Sequence, residues 1–163
     1  MNSTKIVIAE DMEPILFYLE KVISDVEEFE VVGKAKNGKE LIDLVVKDKP
    51  ELVITDIEMP ECSGTQAVEE INKLGIKTKY IVVTGNSNFI ITPRQKEMGM
   101  LKVIQKPILD DKKFIQQMRA VLNQEFEVKA TKEITEQETK VQNKKENIIT
   151  RIINKIFGNK TNT

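Results

Sequence analysis

Short apolar runs and amphipathic stretches take turns along the first three quarters of the chain. Lys5-Ile6-Val7-Ile8-Ala9 is a compact apolar run that ends in the acidic pair Glu10-Asp11. From Pro14 the period changes: Ile15, Leu16, Leu19, Val22, Ile23 and Val26 recur at helical spacing, so the pattern predicts a strand, an acidic turn and a helix. Phe29 to Ala35 reads as a second strand. In Asn37-Gly38-Lys39-Glu40 a capping Asn precedes a Glu by three residues, which predicts a helix through Leu41, Leu44 and Val45 that Pro50 ends. Leu52-Val53-Ile54-Thr55 follows as a short buried strand delivering Asp56 to its C-terminal end, and Pro60 stops further pairing. Gly64 is expected to allow a turn into a helix carrying Ala67, Val68, Ile71 and Leu74, with Gly75 just past its end. Tyr80-Ile81-Val82-Val83 reads as a fourth strand ending in Thr84-Gly85. Between Asn86 and Met100 the pattern is weak, with Thr92-Pro93 as cap and first residue of a short helix closing near Gly99. Lys102 to Gln105 gives a fifth strand ending in Lys106-Pro107, and a last helix runs from about Asp110 through Phe114, Ile115, Met118, Val121 and Leu122.

Strand and helix thus alternate five times over residues 1–122. Such alternation predicts an α/β domain, a five-stranded parallel sheet with right-handed crossovers and helices on both faces. From Asn123 the character changes. Residues 123–142 are dominated by Glu, Lys, Gln and Thr without Gly or Pro, and read as a polar linker or an extension of the last helix. Residues 143–163 carry Ile148, Ile149, Ile152, Ile153, Ile156 and Phe157 at helical spacing before Gly158, with six Lys or Arg against one Glu over residues 140–163. A basic amphipathic helix this short needs a surface for its apolar stripe: the preceding domain, a protein partner, a second copy or an anionic membrane. One convincing helix cannot supply a helix-turn-helix and its core, so direct binding to nucleic acid is not expected.

Composition narrows the chemistry. The 163 residues are 40% hydrophobic and 31% charged with net charge −1, as in a soluble globular protein, and no apolar run has the length of a membrane span or a signal core. A cytoplasmic location is expected. The single cysteine, Cys62, cannot form an internal disulfide and reads as a bystander. The chain has no histidine, which excludes Ser-His and Cys-His nucleophile pairs and the usual zinc sites. What remains is at the strand ends, which a parallel sheet gathers on one rim with neighbouring strands roughly 5 Å apart. Glu10-Asp11, Asp56, Thr84 and Lys106 all fall there. Three close carboxylates repel unless a hard cation joins them, and Mg²⁺ takes one or two carboxylates and completes its shell with water and phosphate oxygens. Phosphoryl transfer then assigns the parts: Asp56 as nucleophile, Glu10 and Asp11 on the metal, Lys106 as point charge and Thr84 as hydroxyl. Each residue alone has an ordinary structural explanation; the five together do not.

Glu10-Asp11, Asp56 with Met59-Pro60 and Gly64 after it, Thr84, and Lys106-Pro107, in that order, make the chain from about Lys5 to Leu122 resemble the receiver domain of bacterial two-component response regulators. The resemblance implies the flavodoxin-like doubly wound strand order 2-1-3-4-5. It implies that Asp56 accepts a phosphoryl group from the phosphohistidine of a sensor kinase or phosphotransfer protein, with Mg²⁺ held by Glu10, Asp11, Asp56 and the backbone carbonyl of Glu58. Thr84 and Lys106 would reorganise around the phosphoaspartate, and the signal would pass to a protein partner or a second copy through the face of helix 4, strand 5 and helix 5. Enzymatic activity would be limited to the chain's own phosphorylation and dephosphorylation. Three departures stand out. Val103 occupies the position where the family usually has an aromatic residue that turns inward, a swing no small β-branched side chain can make. Gly85 replaces a more usual alanine, and Glu58 and Asn86 occupy positions that in the family tune hydrolysis of the aspartyl phosphate. A phosphatase of the haloacid dehalogenase type also uses an Asp after a buried strand, but it needs a second Asp two residues on, where this chain has Glu58, and late metal-binding acids, whereas Glu10-Asp11 come first. A flavodoxin is poorer still, since the acidic first turn would repel a phosphate. A scaffold that signals without phosphate is the third alternative.

Overall fold

The computed structural model describes residues 3–125. Residues 126–163 lie outside the described residues, and with them the tail expected over 143–163 and most of the linker expected over 123–142. The elements run β1 (Thr4–Ala9), α1 (Glu13–Ser24), β2 (Phe29–Ala35), α2 (Gly38–Asp48), β3 (Leu52–Thr55), α3 (Gly64–Lys73), β4 (Lys79–Thr84), α4 (Pro93–Glu97), β5 (Met100–Gln105) and α5 (Asp111–Leu122). The strands form one parallel sheet in the order β2-β1-β3-β4-β5. This is the doubly wound arrangement expected from the sequence.

β3 shows why the sheet can be covered twice. All four of its residues are buried, as a central parallel strand requires. Because side chains alternate across the pleat, Leu52 and Ile54 join Ile6, Ile8, Ile81 and Val83 in a core under α1 and α5, where Leu19, Ile23, Phe114 and Met118 close it. Val53 faces the other way with Val7, Tyr80 and Val82, under α2 and α3 through Leu41, Val45, Ala67, Val68 and Ile71. Two hydrophobic faces on one strand leave only its end for chemistry.

The helix starts show what local sequence decides. Asn37 caps α2 by accepting from the Glu40 N–H at 2.9 Å, and the Glu40 carboxylate reaches back to the Lys36 N–H. At α3 the cap is Ser63, in a reciprocal capping box with Gln66, and Gly64 is the first helical residue instead of the turn expected there. Thr92 and Gln95 make the same box at α4, a helix of five residues that ends before Gly99 with its φ of 99°. β5 begins at Met100, two residues before the expected start, because Leu101 is an extra residue that shifts the register between Tyr80↔Met100 and Ile81↔Lys102.

α1 and α5 are tied at their exposed side by Tyr18, whose hydroxyl donates to Asp111 Oδ1 and lies 3.4 Å from the Ile108 carbonyl oxygen. Partial burial, reinforced by the bond to Asp111 and by the charges of Asp111 and Asp110, pushes this phenol from its ordinary 10 up to about 12. The folded protein therefore holds the Tyr18 proton after the unfolded chain has released it. Stability from this group is complete below pH 10 and is lost as pH rises towards about 12. Tyr18→Phe is expected to flatten that part of the alkaline unfolding profile, while the share owed to the buried phenol of Tyr80, also pushed up by burial, persists. Unfolding followed by circular dichroism between pH 9 and pH 12 measures both.

Candidate functional site

Parallel strands bring their C-terminal ends to one rim: Ala9↔Thr55 and Thr84↔Gln105 pair the last residues of β1 with β3 and of β4 with β5, and Thr55↔Val82 carries β4 two residues further than β3. Glu10, Asp56, Thr84 and Lys106 leave the sheet at that edge. The Asp56 N–H donates to the Ala9 carbonyl, and the Lys106 N–H to the Thr84 carbonyl, each at 2.9 Å, so these ladders extend one step past the strands. The carboxylates of Glu10, Asp11 and Asp56 meet with ligand atoms all within 4.8 Å of one another, Glu10 and Asp56 buried and Asp11 exposed. The Lys106 ammonium lies 2.5 Å from Asp56 Oδ2 and 2.6 Å from Glu10 Oε2. All four groups therefore occupy one small volume, from stretches nearly 100 residues apart in the sequence.

Each is aimed by backbone. Asp56 Oδ1 accepts from two successive amides, Ile57 N–H at 2.6 Å and Glu58 N–H at 3.1 Å, which leaves Oδ2 to Lys106. Glu10 Oε1 accepts from the Met12 N–H at 3.2 Å. Its other oxygen is buried and meets Lys106 by charge, without the geometry of a directed hydrogen bond. Thr84 is wholly buried, and its hydroxyl accepts from the Asn86 N–H at 3.1 Å, which leaves its own proton to give. The Glu58 side chain is exposed.

Burial is the largest influence on Glu10 and raises its carboxyl above the ordinary 4.5, against the pull of the adjacent Lys106 ammonium and the hydrogen bond of the Met12 amide. For Lys106 burial is again the largest single influence and pulls downward, yet the attraction of Asp56 and Glu10 together outweighs it and leaves the ammonium above 10.5. The lysine thus stays charged across the physiological range while the cluster around it still holds an excess of acid.

The loop after Asp56 is braced from α2 and α3. The Gly38 N–H donates to the Cys62 carbonyl at 2.9 Å, and Lys39 pairs with Glu61 at 3.1 Å. A Cβ on Gly64 would come within 2.0 Å of the Asp56 carbonyl oxygen, so glycine is needed there for close approach. Gly85, beside Thr84, is the opposite case: a Cβ there would meet nothing within 4 Å. Val103 is half-buried, like Phe89 and Ile91, against the core that includes Tyr80, Val82 and Met98. The sequence reading did not single out the paired amides of Ile57 and Glu58, the Ser63 cap, or Thr55, whose hydroxyl donates to the Asp56 carbonyl at 2.7 Å. Ser63-x-x-Gln66 was visible as a cap signature; a polar residue closing an apolar strand was the signal at Thr55.

The geometry meets independent likeness. The family model of the response regulator receiver domain matches residues 6–119, more than half of the chain, and the chain belongs to that family. The transcriptional regulatory protein PdtaR of Mycobacterium tuberculosis is 33% identical over 103 residues, 63% of this chain and 49% of that protein. The transcriptional regulatory protein DesR of Bacillus subtilis is 40% identical over 72 residues, 44% of this chain and 36% of that one. The chain spans about half or less of the length of these curated relatives. Among solved structures, the response regulator domain of Thermotoga maritima CheB superposes with a TM-score of 0.67 at 25% identity, covering 76% of this chain and 99% of that domain. The N-terminal domain of an uncharacterized protein from Wolinella succinogenes gives 0.64 at 27% identity, covering 73% and 94%. Among the described residues no helix is long and apolar enough to cross a membrane.

Proposed function

We propose that this receiver domain takes a phosphoryl group onto Asp56 from the phosphohistidine of a sensor kinase or phosphotransfer protein and signals through protein contacts. The observation that carries the reading is the meeting of Asp56 Oδ2 with Lys106 inside a cluster of three carboxylates. The chain has no histidine, so the donor ring belongs to another molecule. An Asp56 oxygen forms the new O–P bond as the donor N–P bond breaks; the electron pair returns to the imidazole, which takes up a proton. Lys106 is placed to exchange its carboxylate partner for a phosphoryl oxygen, and Thr84 has a hydroxyl proton to offer another.

The donor set fits a hard divalent cation. Three carboxylates have ligand atoms within 4.8 Å of one another, with Lys106 paired to two of them, and a buried Glu10 oxygen lacks a directed hydrogen bond. Glu10, Asp11, Asp56 and the Glu58 backbone carbonyl would hold Mg²⁺, which when bound supplies charge neutralisation for phosphoryl oxygens. Output through the α4–β5–α5 face to a protein partner or a second copy, a cytoplasmic site of action, and a role for the tail over 143–163 complete the proposal.

Incubating the full chain with acetyl phosphate and Mg²⁺ is expected to add the mass of one phosphoryl group, located at Asp56 by peptide mapping after reductive trapping and prevented by EDTA. Uptake unaffected by EDTA, or located elsewhere, would sink this reading.

A further inference from the structure

The peptide unit joining Asp56 to Ile57 is held from both sides. Its carbonyl oxygen accepts from the Thr55 hydroxyl at 2.7 Å, and its N–H donates to Asp56 Oδ1 at 2.6 Å. In a trans peptide these two groups lie in one plane and point in opposite directions, so whatever fixes the carbonyl also aims the N–H. Thr55 has no accessible surface, and a buried hydroxyl costs free energy unless it is bonded. Valine would fill the same space on a strand end without that demand. Gly64 closes the remaining side, since a Cβ there would come within 2.0 Å of the Asp56 carbonyl oxygen and 2.8 Å of Thr55 Oγ1. The plane cannot turn while both neighbours are in place.

The consequence reaches the carboxylate. With Oδ1 engaged by the Ile57 and Glu58 amides, the side chain presents Oδ2 in one orientation, 2.5 Å from Lys106. A reaction governed by positioning is sensitive to that orientation, because a displacement of about 1 Å can cost on the order of a hundredfold in rate. We propose that Thr55 is a positioning residue for the phosphoacceptor: its hydroxyl holds the 56–57 peptide so that the Ile57 N–H captures Oδ1 and Oδ2 is left to react. The inference rests on the reading of Asp56 as acceptor.

Thr55→Val keeps the shape and removes the hydroxyl; Thr55→Ser keeps the hydroxyl and removes the methyl. Full-length wild type, both variants, Thr55→Ala and Asp56→Asn are compared by acetyl phosphate uptake with Mg²⁺, and by the Ile57 amide proton shift in metal-free protein. Thr55→Val is expected to lower the maximal rate by roughly tenfold with the KM for acetyl phosphate unchanged, and to move the Ile57 amide proton upfield as its bond to Oδ1 loosens. Thr55→Ser is expected to match the wild type in both. If Thr55→Val does not fold, Thr55→Ser against Thr55→Ala isolates the same hydroxyl. A Thr55→Val protein with wild-type rate and wild-type amide shift overturns the inference, as does Thr55→Ser behaving like Thr55→Ala. Wild type that takes no phosphoryl group overturns the acceptor reading instead, and the amide shift of Thr55→Val then still reports whether the hydroxyl holds the peptide.

Discussion

Asp56→Asn is expected to take up no phosphoryl group from acetyl phosphate or from a phosphohistidine donor, while folding as well as the wild type. The first half follows from chemistry: a carboxamide oxygen has neither the charge nor the nucleophilicity of a carboxylate, and no other acid of the cluster is held by paired amides against Lys106. The second follows from magnitudes. At an effective dielectric of about 20, unit charges 4 Å apart interact by about 4 kcal/mol. Asp56 is attracted by Lys106 at 2.5 Å and repelled by Glu10 and Asp11, whose ligand atoms lie within 4.8 Å. One attraction of roughly 6 kcal/mol and two repulsions of at least roughly 3 kcal/mol each nearly cancel. Intact-mass measurement and a melting curve in metal-free buffer check both halves, and a melting temperature far below wild type would show the balance to be wrong.

Lys106→Met is expected to be the reverse case, folding worse and reacting slower. The ammonium attracts two carboxylates and repels none of the cluster, so its loss leaves three acids facing one another. Breaking buried charge pairs of this kind costs about 3 to 5 kcal/mol. The lower end applies here because Glu10, already held above its ordinary 4.5 by burial, can take a proton and relieve the repulsion. The deficit is greatest where Glu10 is charged, and it shrinks as pH falls and Glu10 becomes neutral. Lys106 itself is held above 10.5, so its contribution is complete below that value and is lost as pH rises through its raised one. Mg²⁺ should restore much of the loss, since a ligand at a hundred times its Kd adds about 2.7 kcal/mol to the folded state. Phosphoryl uptake should fall by about a hundredfold, the usual cost of removing one donor from a developing anion. Urea unfolding at pH 5, 7 and 9, with and without Mg²⁺, tests the thermodynamic half. A variant as stable as wild type at pH 7 in EDTA would show that the lysine does not hold the acids together.

Much of this fold was legible because its signals are local and repeated. Short apolar runs and periods of three to four residues, broken by Pro50, Pro60 and Gly75, locate the ten elements, and parallel pairing then forces the strand ends onto one rim. That is why Glu10, Asp11, Asp56 and Lys106 could be placed together from residues far apart in the chain. What escaped depends on the path of single backbone atoms. Gly64 was read as a turn because a glycine shortly after Pro60 has that character, whereas it is the first residue of α3 behind the Ser63 cap, and glycine is required there by the nearness of the Asp56 carbonyl. The extra residue Leu101 moved the start of β5, and an inserted residue leaves no mark in a short apolar run. Likewise, no spacing rule announces that a threonine will bond the carbonyl of its neighbour.

The two glycines beside the site give mutation very unequal freedom. Position 64 is locked, since even one methyl group would strike the backbone of Asp56, whereas position 85 stands over open space and can accept alanine or something larger. Descendants of this sequence can therefore vary the bulk beside Thr84 by substitutions at residue 85 alone. Under the proposed function, the surroundings of the phosphoryl group are in this sense an adjustable trait lodged in a part of the molecule that the fold does not need.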